Sequence, residues 1–148
     1  MVEITGEIIK SAVAAKILES IPSAAGSVYK EGQYQGKAGD AFYIVQRRVS
    51  QQWQIKQLLK RDYEMIVRYE PDINSQKKLE NCSQMGNILM FALKSIDSGD
   101  GVLVHGTNMN FETVDGVALV YVTYSIRIKD VPNTLNPMKD LEINKEVY

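Results

Sequence analysis

Few residues in this chain have chemistry to offer. His105 is the sole histidine and Cys82 the sole cysteine among 148 residues. A histidine titrates near neutrality and serves as a base or a metal ligand, but a metal site needs several His, Cys or carboxylate ligands converging on one point. No such set is spaced around His105, which reads as a structural histidine on a strand in the core-face register. Cys82 falls in the apolar stripe of a helix, where a thiol behaves as a small hydrophobe; a reactive thiolate needs an accessible, electropositive setting. Gly32, Gly36 and Gly39 have neither the spacing of a phosphate loop nor a helix after them. Asp97, Asp100 and Asp115 sit at turn positions and do not form a paired acid and base. The expectation is a protein that is not an enzyme and uses no metal and no cofactor.

One segment carries a different kind of chemistry. Arg47, Arg48, Lys56, Lys60, Arg61 and Arg68 are interleaved with Trp53 and Tyr63, and cations beside aromatic rings are what single-stranded nucleic acid binds. Asp62, Glu64 and Glu70 dilute that charge, and the whole chain has a formal net charge of −1. A solvated or subunit-facing pair of strands explains the segment as well, so no specific nucleic-acid partner is expected. Hydrophobic residues at 45% and charged residues at 24% are ordinary globular composition, enough for one domain with a core of its own. A single cysteine suits a reducing cytoplasm. The longest apolar runs, 88–93 and 117–122, are too short to span a bilayer, and the start lacks the basic and apolar regions of a signal peptide, so no membrane partner is expected.

The elements that position these residues follow from periodicity. Ile4, Ile8, Ala12, Val13, Ile17 and Ile21 recur at three- and four-residue spacing, which predicts an amphipathic helix over residues 3–20, stopped by Pro22. Residues 27–31 read as a short strand and 32–40 as a glycine-rich loop. From Ala41 the period becomes two, and 61–69 alternates clearly, with Tyr63, Met65, Val67 and Tyr69 on one face. These are two antiparallel strands of a long hairpin that ends at Pro71. Residues 50–60 between them read as a projecting loop with Trp53, Ile55, Leu58 and Leu59 on it. Such a loop either meets a partner surface or folds back on its own sheet.

Asp72, Asn74 and Ser75 offer caps for a second helix running to about Ile96. Its apolar stripe is Leu79, Cys82, Met85, Leu89, Leu93 and Ile96, and Gly99 and Gly101 mark its end. Asp115-Gly116 is a strong two-residue hairpin signal, since such turns need positive φ. Fixing that turn pairs Val114 with Val117, Phe111 with Val120 and His105 with Ile126. Leu103, Thr107, Met109 and Phe111 then join Val120, Val122, Tyr124, Ile126 and Ile128 on a core face, while Asn108, Asn110 and Glu112 join Tyr121 and Thr123 on a half-polar one. Pro132, Asn133, Asn136 and Pro137 break the pattern, and Leu141, Ile143 and Val147 alternate in what reads as a C-terminal arm. The expected architecture is α+β, two helices packed on one face of an antiparallel sheet, with a single domain over 1–129 and the arm over 130–148.

The run from Gly101 through His105-Gly106-Thr107-Asn108-Met109-Asn110-Phe111-Glu112-Thr113-Val114-Asp115-Gly116 to Val117 resembles the signature stretch of the phage tail terminator family of Gram-positive phages and defective prophages. The strand from Arg61-Asp62-Tyr63 to Tyr69-Glu70-Pro71 is similar to the alternating strand that precedes the family's second helix. The likeness spans almost the whole chain, and residues 50–60 depart from the usual pattern. It implies a structural protein of the virion tail, assembled in the host bacterial cytoplasm. Its partners would be copies of itself in a ring (usually a hexamer), the tail tube protein and the head–tail connector protein. Residues Arg47, Arg48, Trp53, Ile55, Leu58, Leu59 and Arg61 are the expected contacts between subunits. The rival readings are another head–tail completion protein and a nucleic-acid-binding module using the hairpin over 42–69.

Overall fold

A computed structural model describes residues 4–24, 27–30, 39–55, 57–72, 76–99 and 101–129. The arm expected over 130–148 lies outside them. Helix α1 (Gly6–Ser20) starts where the Thr5 hydroxyl accepts a hydrogen bond from the Ile8 N–H at 3.3 Å, a standard N-cap. It ends as the Ile21 N–H bonds to the Ile17 carbonyl and Pro22 opens a 3-10 turn. Its buried face is Ile9, Ala12, Val13 and Ile17.

Strand β1 (Val28–Tyr29) pairs in parallel with β2 (Ala41–Ile55), and β2 pairs antiparallel with β3 (Leu58–Glu70). Helix α2 (Lys78–Ala92) follows, then β4 (Ser95–Asp97), β5 (Leu103–Val114) and β6 (Val117–Lys129). The six strands form one sheet in the order β1-β2-β3-β6-β5-β4. The expected α+β class is present, with a sheet that is antiparallel except at its short first strand. One core joins Ile9, Val13 and Ile17 of α1 and Cys82 and Leu89 of α2 to one face of the sheet. That face is Phe42 and Ile44 on β2, Tyr63 to Tyr69 at alternate positions on β3, and Ala118 to Tyr124 at alternate positions on β6. Each fully buried Ile, Leu or Val there stabilises the fold by roughly 1.5–3 kcal/mol relative to exposure.

Four details depart from the sequence reading, each for a local reason. Residues 50–60 are not a projecting loop: β2 runs to Ile55 and β3 starts at Leu58, with Trp53 paired to Leu59 and Ile55 to Leu58. The reversal is made around Gln57 at φ 55°, a position where glycine or asparagine would have announced the turn. Helix α2 stops at Ala92, and Ile96 belongs to β4. Ile96 is nevertheless fully buried, so an apolar residue in helical register was supplied by the strand after the helix. At the other end α2 begins after Lys77 without a side-chain cap; Asp72 precedes it by too far, and Asn74 and Ser75 lie outside the described residues. Leu79, in that first turn, is exposed.

The last departure matters most for the signature stretch. The Asp115-Gly116 turn pairs Val114 with Val117 and Phe111 with Val120 as expected. Between Asn110 and Thr107 the register slips by one residue, where Asn108 adopts φ 51°. A bulge of this kind flips every side chain beyond it to the other face. Val104 is therefore buried, whereas Leu103, His105 and Thr107 are exposed. His105 pairs with Ser95 on β4 instead of occupying a core position opposite Ile126.

Candidate assembly surface

The side chains with potential chemistry are placed where they do little of it. Cys82 is buried, its Sγ–H donates to the Gly116 carbonyl at 3.4 Å, and burial pushes the thiol above its ordinary pKa. A thiol so placed is a poor nucleophile. His105 Nδ1 lies 3.1 Å from Ser95 Oγ, an exposed cross-strand contact that sequence reading had not foreseen, because Ser95 was assigned to a helix. A Ser–His pair is half of a nucleophile system, yet the nearby carboxylate, Asp97 on β4, accepts from the Gly99 N–H and so serves the turn. Among the described residues there is no cluster of three or more His, Cys, Asp or Glu able to hold a metal. No described helix is long and apolar enough to cross a membrane.

The surface with the most unusual character is the far end of β2. After Ile44, every described side chain of β2 is exposed through Ile55, on both faces of the strand. Val45 and Val49 are 38% and 40% exposed, Trp53 39% and Ile55 71%. Strand β3 beneath it is sandwiched between β2 and β6, as Leu59 faces Trp53 on one side and Ile128 on the other. Of the seven residues expected at an interface, Leu59 is thus buried within the subunit at 7% exposure and Leu58 is half-buried. Arg47, Arg48, Trp53 and Ile55 remain on the surface. Sequence reading did not single out Val45 and Val49, which lie in a stretch read only as strand.

The cations of this region are largely committed within the chain. Arg47 Nη1 and Arg48 Nε reach Glu64 at 3.3 and 2.7 Å, so two guanidiniums share one carboxylate. Arg61 donates to the Gln51 side-chain carbonyl, Arg127 to that of Gln54, and Arg68 to Glu70. Arg48, Asp62, Glu64, Asn110, Glu112 and Tyr121 help line an open depression of about 660 Å³ on the sheet face away from the helices. Tyr121 donates to Glu112 at 3.1 Å, which raises the phenol pKa. This face mixes both signs and lacks the unbroken positive strip that tracks a phosphate backbone. A further apolar pair, Leu79 and Phe91, is more than 70% exposed on α2.

A surface with exposed apolar and paired charged residues suits contact with other proteins. No curated protein matches the chain in sequence. A solved structure with 12% identity, matched over 88% of this chain and 100% of its own, superimposes with a TM-score of 0.40, a likeness that carries no argument. The family model described as phage tail terminator protein matches residues 8–136, which takes in α1 from Ile8 onward, all of α2, all six strands and the whole Gly101-to-Val117 stretch. By that match the chain belongs to the phage tail terminator protein family, whose members are structural proteins of the phage tail.

Proposed function

We propose that this protein is the tail terminator itself: a ring of identical subunits, six in the usual arrangement, that caps the finished tail tube and presents a surface to the head–tail connector. The observation that carries the reading is the family match over residues 8–136; the exposed end of β2 supports it. A strand exposed on both faces, with Val45, Val49, Trp53 and Ile55 on it, is a surface in want of a neighbour. Arg47, Arg48, Trp53, Ile55, Leu58 and Arg61 are the proposed subunit contacts, while Leu59 is covered by its own sheet. The ion pairs of Arg47 and Arg48 with Glu64 lie at the bulge in β2 and contribute at most about 1 kcal/mol each. Function on this reading is binding and geometry, with no chemical step.

Two rivals make different predictions. A head-completion protein would bind the portal side and leave tubes uncapped. A nucleic-acid module would show an affinity falling steeply with salt, and the pairing of its arginines with Glu64, Glu70 and glutamine side chains argues against it. The test adds the purified chain to polymerising tube protein. Tubes that stop at a fixed length, with extra density at one end, support the terminator role. Tubes of unaffected length and bare ends would refute it.

A further inference from the structure

The sheet forks at one end. Strand β5 pairs with β6 as far as Gly106 opposite Tyr124, and beyond that point Leu103 to His105 pair with β4 instead. β6 continues beside β3, with Ser125 opposite Asp62 and Lys129 opposite Leu58. Along the other side of 125–129 no strand lies among the described residues. The gap between the diverging strands is a notch of about 700 Å³. Ile4, Val104 and Ile126, which belong to the core or pack against it, form its apolar part. Lys60 and Arg127, directly opposite each other on β3 and β6, line it on the sheet face away from the helices.

An open backbone edge between an apolar floor and a cationic rim fits one kind of occupant. It is an extended segment, apolar on one face and acidic on the other. The chain itself holds one, Asp140-Leu141-Glu142-Ile143-Asn144, apolar at odd positions and acidic or polar at even ones. We infer that residues 140–144 add to β6 as an antiparallel strand, in the notch of their own chain, and so seal this edge. The inference goes beyond the ring reading and does not rest on it.

Register gives the fit on both faces. Setting Glu142 opposite Arg127 puts Leu141 beside Ile128, Ile143 beside Ile126 and Asn144 beside Ser125. Lys60 continues the row from Arg127, so Glu142 meets two cations. Lys60 is 3.9 Å from the Asp62 carboxylate and Arg127 donates to the neutral Gln54 side chain, which leaves the row rich in positive charge. Residue 145 would fall opposite Tyr124, where Gly106 already pairs. The room therefore ends where Lys145 breaks the apolar alternation. The tether also suits the fit. β6 ends at Lys129, and the ten residues 130–139 make the reversal. Extended, they reach roughly 33 Å, against a step of about 4.8 Å to the adjacent strand position. Pro132-Asn133 and Asn136-Pro137 are turn-forming pairs. A tether this short holds the segment at an effective concentration of about millimolar, which favours its own notch over that of another copy.

Amide hydrogen exchange on the full chain tests the inference. Residues 140–144 and 125–129 should exchange slowly together. Arg127→Glu, at an exposed position, should release both segments, and adding Glu142→Arg should restore their protection. Free exchange over 140–144, or protection that ignores the charge reversal, would overturn the docking. A zero-length carbodiimide cross-link from Glu142 to Lys60 then identifies whose notch is filled, using ordinary and heavy-isotope chains mixed and refolded together. Links within one isotope are the expected result. Mixed-isotope links, or none to Lys60, would overturn docking in the same chain. Either failure leaves the ring reading untouched, since that reading is judged by assembly mass and tube capping.

Discussion

Replacing Gly106 by alanine should destabilise the fold through one crowded contact. A Cβ at that position would stand 2.7 Å from Val122 Cγ2 and 3.0 Å from the Leu93 carbonyl oxygen. Neither neighbour has room to retreat. The Leu93 carbonyl accepts the Tyr124 hydroxyl at 2.8 Å, and the Gly106 N–H donates to Lys94 at 2.7 Å, so the end of α2 is pinned to β5 and β6 on both sides. Forcing a methyl group into such a site costs about 1–3 kcal/mol. For a domain of this size that lowers the melting midpoint by roughly 2–4 °C per kcal/mol. The control is Gly116→Ala, where φ is 78° and no atom lies within 4 Å of the added carbon. Its cost is conformational only, on the order of 1 kcal/mol. Thermal unfolding of both variants by circular dichroism makes the comparison. A Gly106→Ala protein that melts with the wild type would show that α2 does not press on β5 here.

Three further outcomes are expected. Trp53→Ala combined with Ile55→Ser should leave the fold intact yet weaken self-association, read by sedimentation of the variant against the wild type. Cys82→Ala and His105→Ala should each support tail assembly, and the Cys82 thiol of the folded protein should resist a disulfide reagent at mild alkaline pH that modifies it freely in denaturant. Burial raises the Tyr124 and Tyr69 hydroxyls above the usual tyrosine pKa, with Asp40 adding to the effect at Tyr69, and raises the Cys82 thiol likewise; stability should therefore begin to fall near about pH 9, as the unfolded thiol ionises first, and fall more steeply above about pH 10 as the unfolded tyrosines ionise. Tyr124→Phe should flatten that alkaline slope while costing about 1 kcal/mol at neutral pH through the lost hydrogen bond to Leu93, both measurable by urea unfolding across pH.

Much of the fold was legible because burial imposes a period. The alternation of Tyr63, Met65, Val67 and Tyr69 named the core face of β3, and Asp115-Gly116 fixed the register of the last hairpin near its turn. What was not legible depended on single residues in unusual conformations. Gln57 and Asn108 both take positive φ without a glycine to advertise it. One let β2 and β3 extend into an expected loop, and the other reversed the faces of Leu103, Val104 and His105. Ile96 kept helical spacing while belonging to β4, since a buried position looks the same to periodicity whichever element supplies it. For the surface, Arg47, Arg48, Trp53 and Ile55, expected as subunit contacts, are exposed, whereas Leu59 is covered by its own sheet. The stretches of β2 and β5 with no neighbouring strand among the described residues had no signature at all, because which strand lacks a neighbour is a property of topology.

The ring is tested most directly by the mass of the full chain in solution, alone and with tube protein, read by light scattering together with negative-stain images. A closed ring of identical subunits, seated at the end of capped tubes, is the expected result. A chain that remains monomeric at every concentration and leaves tube ends bare would contradict it.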